Sequence, residues 1–313
     1  MTRFIVTGGA GFIGSHIVER LLDEEHQVVV IDDLSTGRIE NADPFKDRID
    51  FQQIDLRNLD DVRRAVEGAE HVFHQAALPS VPRSIEDPLE SHHVNVTGTV
   101  NLLVAAKEAG VKRFVYAASS SAYGDAQVDQ KHEELKPAPL SPYGAAKLSG
   151  ELYCQAFYHS YGLETVCLRY FNVFGPRQNP FSAYTGVLAI FIPLMLKGEQ
   201  PTIFGDGAAS RDFTFVKNNV DANLLALTAK NAPGEVINIA CGQQYTILEI
   251  VDAINQILGT NIQPKFEGVR TGDIKHSLAS IEKAKTTLGY EPAVSFEEGL
   301  RVTIEWYRKE LGL

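Results

Sequence analysis

Apolar positions along this chain follow two alternating rhythms. Short runs at 4–6, 27–31, 49–53, 71–77, 113–118 and 165–170 read as buried strands. Between them apolar residues return at helical spacing: Ile13, Ile17, Val18, Leu21 and Leu22 after the first run, then Leu59, Val62, Ala65 and Val66 after Asn58. A long helix is expected over 88–109. Another starts at Ser141-Pro142, a cap followed by proline in the first turn, and runs to 161. Such an order implies an α/β fold, a doubly wound parallel sheet with helices on both faces. After Tyr170 the texture changes. Loops such as Gly175-Pro-Arg-Gln-Asn-Pro180 and Gly205-Asp-Gly207 separate shorter elements. We expect a first lobe over 1–174 and a smaller C-terminal α/β lobe over 175–313. Within the latter, 213–229 packs back on the first lobe and 296–311 forms a closing amphipathic helix.

With 313 residues, 44% hydrophobic and 22% charged, the chain can bury a large core. A formal net charge of −11 argues against a nucleic-acid surface, though not against a local basic pocket for a phosphorylated ligand. The three cysteines, Cys154, Cys167 and Cys241, form no paired motif and read as reduced core residues. The first strand leaves no room for a signal peptide, and no apolar run reaches membrane-spanning length. A cytoplasmic protein without membrane contact is therefore expected. His92 and His93 read as helix-surface residues. His71 and His74 flank a buried strand, and no carboxylate or cysteine cluster suggests a metal.

Candidate chemistry begins in the first strand–helix turn. Gly8, Gly11 and Gly14 follow the strand at spacings of three. Glycines there let the backbone approach a pyrophosphate, and the helix N-terminus offers free N–H groups to it. The next strand ends in Asp32-Asp33, and Asp32 lies 18 residues after Gly14. A carboxylate at that distance accepts hydrogen bonds from a ribose 2′-hydroxyl and repels a 2′-phosphate, so NAD is favoured over NADP. The nearest cation is Arg38. Tyr143 and Lys147, four apart, share one helix face. A phenol titrates near 10, and lowering it to about 7 takes about 4 kcal/mol. Two close cations, the ammonium and a nicotinamide ring, can supply that and make Tyr143 a general base.

The ordered set Thr7-Gly-Gly-Ala-Gly-Phe-Ile-Gly14, Asp55-Leu56, His74-Gln-Ala-Ala77, Ser119-Ser-Ser-Ala-Tyr-Gly124, Tyr143-Gly-Ala-Ala-Lys147, Leu168-Arg-Tyr-Phe-Asn172 and Arg211-Asp-Phe213 spans essentially the whole chain. It resembles the extended short-chain dehydrogenase/reductases, specifically the nucleotide-sugar 4-epimerases of the UDP-galactose 4-epimerase type. That resemblance implies a Rossmann domain and a nucleotide-sugar lobe. It also implies C4 epimerisation of a UDP-hexose through a transient 4-keto sugar, with hydride passing to NAD and back. The implied triad is Ser119, Tyr143 and Lys147. Phe12 and Ile13 would lie at the pyrophosphate, and Asp32, Asp33, Leu34, Ser35, Thr36 and Gly37 around the adenosine ribose. Asp55 and Leu56 would flank the adenine. Gln75, Ala76, Ala77 and Asn95 would lie along the cofactor, and Tyr170 by the nicotinamide. Asn172, Val187, Arg211, Arg270 and Asp273 would hold the nucleotide diphosphate and its ribose. Pro79 departs from glucose/galactose-type relatives, which often carry Lys there.

Dehydratases and other relatives that work beyond C4 carry acidic residues directly after the Ser/Thr, whereas Ser120 and Ser121 stand there in this chain. By resemblance this favours simple epimerisation. Ser277 stands where relatives limited to glucose and galactose often carry Tyr, and Ser80 matches relatives that take N-acetylated sugars. UDP-GlcNAc/UDP-GalNAc are expected substrates beside UDP-Glc/UDP-Gal. The alternatives are another NAD-dependent nucleotide-sugar enzyme (dehydratase, decarboxylase or reductase) and a non-catalytic NAD-binding regulator. Such regulators usually lose the Tyr/Lys pair that this chain retains. The resemblance further implies a homodimer, with the helices at 88–109 and 141–161 pairing across a two-fold axis.

Overall fold

The computed structural model describes residues 2–179, 186–268 and 275–313. The first half is built from β1 (Arg3–Thr7), α1 (Phe12–Asp23), β2 (Gln27–Ile31), β3 (Ile49–Gln52), α2 (Leu59–Val66), β4 (His71–His74), α3 (Val81–Glu86), α4 (Pro88–His92), α5 (Gly98–Glu108), β5 (Arg113–Ser119), α6 (Pro142–Tyr161) and β6 (Glu164–Tyr170). The second half adds β7 (Val173–Phe174), α7 (Val187–Leu196), β8 (Thr202–Phe204), β9 (Ser210–Asp212), β10 (Thr214–Phe215), α8 (Val216–Thr228), β11 (Val236–Ile239), β12 (Gln244–Thr246), α9 (Ile247–Leu258), β13 (Lys265–Glu267), β14 (His276–Ser277), α10 (Glu282–Leu288) and α11 (Phe296–Glu310).

Seven strands form one sheet in the order β11-β6-β5-β4-β1-β2-β3, each neighbouring pair parallel. This is the doubly wound α/β fold. One face packs α2, α5 and α6 through a core that includes Ile5, Val72, Leu103, Phe114 and Cys154. The other packs α1 and α8 through Phe4, Ile17, Leu21 and Val220, and that core runs without a break to Phe296 and Tyr307 of α11. The chain returns to the sheet beyond residue 229: β11 pairs with β6, Val236 opposite Cys167. Periodicity cannot show this, because a four-residue buried strand carries no signal of its partner.

The helix expected over 88–109 is one helical run whose middle, His93–Thr97, has wide π-type turns between α4 and α5. The insertion holds Asn95, whose Oδ1 accepts the Leu78 N–H at 2.9 Å. The fourth strand ends at His74, not 77, and Gln75 to Ala77 run on as loop along the sheet edge. All three cysteines are free thiols, with Cys154 and Cys167 buried. Among the described residues no helix is long and apolar enough to cross a membrane.

Candidate active site

Above the carboxyl ends of the central strands lies a cleft of about 890 Å³. Its floor is the turn from β1 into α1. Gly8 has φ +67°, and a Cβ there would stand 2.7 Å from the Ala76 nitrogen; a Cβ on Gly14 would strike the Gly8 carbonyl. Only glycine lets these three backbone segments close up. The N-cap of α1 is Gly11, which has no side chain to cap with, so the first-turn N–H groups of Phe12, Ile13 and Gly14 face the cleft. A diphosphate fits that cradle.

At the end of β2, Asp32 is buried and lines the cleft. Its Oδ2 accepts the Ala10 N–H at 3.0 Å and its Oδ1 the Leu34 N–H at 2.9 Å, which pins the carboxylate in place while burial pushes its pKa up. Each oxygen keeps a lone pair for a ribose hydroxyl. Arg38 lines the same cleft, but Glu310 holds it at 3.0 Å and Glu40 at 3.6 Å. That leaves little cation there for a 2′-phosphate. Asp33, Ser35, Thr36, Gly37, Asp55, Leu56, Gln75, Ala76 and Ala77 also line the cleft. These residues fit a dinucleotide, and NAD rather than NADP.

The chemical end is assembled by β5 and α6. Ser119 closes β5. Its Oγ accepts both the N–H and the Oγ–H of Ser121, at 3.2 and 2.8 Å. Ser141 caps α6 by accepting the Gly144 N–H at 3.1 Å, and Ser84 of α3 accepts the Tyr143 N–H at 3.0 Å. Two serines thus fix the turn that presents Tyr143, whose phenol lies close enough to Ser119 for that serine to favour the phenolate. One helical turn on, Lys147 is 3% exposed, with Nζ 4.4 Å from the centre of the Tyr116 ring. Burial lowers its ammonium to about 8.

The lowering of the Tyr143 pKa is expected from two cations together, Lys147 and the nicotinamide ring, and the polypeptide holds only the first. Burial raises the phenol, and Ser119 only partly offsets that. The ammonium lies over Tyr116 here, and the positive ring of NAD⁺, when bound, would favour the phenolate. Opposite, Tyr170 is fixed by its hydroxyl, 3.1 Å from Gln75 Oε1 and 2.9 Å from Asn223 Nδ2.

Ser80, Ser120 and Asn172 line the cleft as well. Asn172 sits at φ +33°, a strained value for a non-glycine residue, and its Nδ2 donates to the Asp212 carbonyl at 2.9 Å. Arg211 and Ser277 face each other in register on β9 and β14. The Arg211 guanidinium donates to the Ser210 and Lys275 carbonyls at 2.9 and 3.2 Å. Val187 begins α7. These three, with Leu34, Asn95 and Ser121, stand outside the lining of this cleft. Asn95 is buried behind it with its amide engaged by Leu78, and Leu34 offers its backbone N–H to Asp32. Arg270 and Asp273 lie outside the described residues.

Sequence reasoning missed Arg83, Ser84, Asn41 and Arg177. Arg83, Asn41 and Arg177 line the cleft, and Ser84 orients Tyr143. Arg177 faces the cleft paired to Glu19 at 2.8 Å. Only the Val-Pro-Arg-Ser run near Ser80 hinted at the first two. His74 is a core residue, bridging Thr7 and Thr99 at 2.7 and 2.8 Å with its pKa well below the usual value.

Comparison with known proteins matches residues 4–240 to a family described as the NAD dependent epimerase/dehydratase family. A UDP-glucose 4-epimerase of Mycolicibacterium smegmatis is 38% identical over 98% of this chain and 99% of its own. The crystal structure of UDP-glucose 4-epimerase from Thermotoga maritima, with UDP-glucose, has a TM-score of 0.95 at 40% identity and covers 99% of this chain and 100% of that one. UDP-N-acetylglucosamine 4-epimerase from Methanobrevibacter ruminantium M1, in complex with UDP-N-acetylmuramic acid, has a TM-score of 0.94 at 40% identity over 99% of both chains.

Proposed function

The chain belongs to the NAD dependent epimerase/dehydratase family, and from that premise we propose that it inverts C4 of a UDP-hexose, acting on UDP-GlcNAc/UDP-GalNAc as well as UDP-Glc/UDP-Gal. The observation that carries this reading is that Ser119, Tyr143 and, one helical turn on, Lys147 line one cleft with the dinucleotide cradle. Bound NAD⁺ supplies a reversible hydride acceptor for C4 and a positive ring next to Tyr143. Tyr143 Oη takes the proton of the sugar 4-hydroxyl. Ser119 Oγ bonds the same oxygen, and Ser121, donating to Ser119 at 2.8 Å, keeps that serine oriented. Lys147 holds the nicotinamide ribose. The resulting 4-keto sugar turns over in the pocket, and Tyr143 returns the proton after the opposite face has been reduced. Asn172, Val187, Arg211, Arg270 and Asp273 anchor the nucleotide while this happens.

With Ser120 and Ser121 where an acid would stand, no carboxylate follows Ser119 to drive elimination, which supports epimerisation over dehydration or decarboxylation. Ser277, a small side chain on edge strand β14 beside Arg211 of β9, supports room for a 2-acetamido group. The protein works as a cytoplasmic homodimer in this reading. Ile85, Leu89, Leu152 and Tyr153, 43–69% exposed on α3, α4 and α6, support a helical interface that light scattering can check. The deciding experiment is proton NMR of the purified protein, without added cofactor, incubated separately with UDP-GalNAc and UDP-Gal. Appearance of both C4 epimers is expected. Conversion of UDP-Gal alone removes the acetamido substrates, and conversion of neither by NAD-loaded protein removes the reading.

A further inference from the structure

One buried carboxylate near the nucleotide-sugar residues has no part in the chemistry above. Asp212 is fully buried at the end of β9, immediately after Arg211. Among the described residues no cation pairs with it. Its partners are backbone N–H groups instead. Oδ1 accepts from Cys241 at 2.9 Å, and Oδ2 accepts from Gly242 at 2.9 Å and from Ala279 at 3.4 Å. Its own carbonyl accepts the Asn172 side chain at 2.9 Å.

These donors come from three separate segments. Cys241 and Gly242 form the turn that leaves β11, the sheet's edge strand. Ala279 follows β14, two residues after Ser277. Asn172 lies just past β6. An Asp whose only role was to fill space would be a poor choice here, because burying a carboxylate is costly unless its hydrogen bonds are needed. What the bonds accomplish is alignment. They tie the strand carrying Arg211 to the strand carrying Ser277 and to the turn that presents Asn172.

We propose that Asp212 is a positioning residue for nucleotide-sugar binding, its carboxylate clamping β9, the exit of β11 and the exit of β14 so that Arg211 and Ser277 meet the ligand in a fixed geometry. The proposal rests on the reading of Arg211 as a nucleotide contact. Asp212 touches neither substrate nor cofactor, so its loss should weaken ligand binding and leave the proton chemistry at Tyr143 running.

The test uses NAD-loaded enzyme carrying Asp212→Asn, which keeps the shape and replaces one acceptor oxygen by a donor facing N–H groups. UDP, which cannot react, serves as the binding probe in calorimetry. The expected result is a Kd for UDP at least tenfold higher, a parallel rise in KM for the UDP-sugar, kcat within threefold of the parent, and unchanged NAD content. A Kd and KM within twofold of the parent would overturn the proposal. So would losses of kcat, NAD content and thermal midpoint without a KM change, which mark a purely structural residue. Arg211→Met is measured alongside. Weak UDP binding there with normal binding in D212N overturns the clamp alone; normal binding in both removes Arg211 from the reading and the clamp with it. Hydrogen exchange on the unmodified holoenzyme needs no folded variant. Amides at 241, 242 and 279 should exchange slowly, and more slowly with UDP. Fast exchange that UDP leaves unchanged also overturns the clamp.

Discussion

Replacing Lys147 by methionine should stabilise the NAD-free protein while abolishing turnover. The ammonium is 3% exposed, and among the described residues no carboxylate pairs with it. Burial lowers it from 10.5 to about 8. At 1.4 kcal/mol per pH unit that fall corresponds to about 3 kcal/mol of disfavoured charge at pH 7. Losing the contact with the Tyr116 ring costs about 1 kcal/mol, leaving a net gain of about 2 kcal/mol for a methionine of similar length. The sign follows from linkage. Because the folded pKa lies below the unfolded one, the unfolded chain binds more protons between pH 8 and 10.5, and the parent gains stability as pH rises through that window. The destabilisation is complete below pH 8 and gone above 10.5. Urea unfolding of cofactor-stripped parent and K147M at pH 7 and pH 9.5 reads this directly. The gap between them should shrink by about 1 kcal/mol at the higher pH, and groups common to both proteins cancel. A gap independent of pH, or one that widens, would refute the claim that Lys147 is held charged against its surroundings.

Three further outcomes are expected. Tyr143→Phe should lower kcat by about 10²–10⁴ with NAD content unchanged, measured by single-turnover kinetics, since only the general base is lost. Ser277→Tyr should abolish turnover of UDP-GlcNAc and UDP-GalNAc while sparing UDP-Glc and UDP-Gal; equal loss of both pairs would contradict the pocket argument. Glu151→Ala, which strands Arg169 of the buried pair bonded at 2.6 and 2.8 Å, should cost about 3–5 kcal/mol in urea unfolding, whereas changing both partners to apolar residues should cost far less.

What the sequence disclosed depended on how local each signal was. The glycine turn, Asp32 and the Tyr143–Lys147 pair are defined by spacing within one strand–turn–helix or one helix, and they assemble at the cleft. Features set by distant partners were illegible. The Ser84 grip on Tyr143 joins residues 59 apart, and the Asp212 bond to Ala279 spans 67. The π-type turns at His93–Thr97 hide inside a pattern that reads as ordinary helix, because one inserted residue barely shifts apolar periodicity. For a related reason, spacing placed Lys147 on the same face as Tyr143 but could not show its ammonium lying over Tyr116.

That β11 is laid down beside β6 has a consequence for biogenesis. A ribosome delivers Tyr170 well before Ile239, and at 5–20 residues per second the interval is about 3–14 s. Throughout it the nascent β6 presents unpaired backbone groups along an apolar edge, the sort of surface to which another chain can add a strand. A polypeptide released near residue 174 would keep that edge permanently. Such a truncation product should therefore self-associate through β6, and adding back chain through 239 should restore monodisperse behaviour before any gain in catalysis.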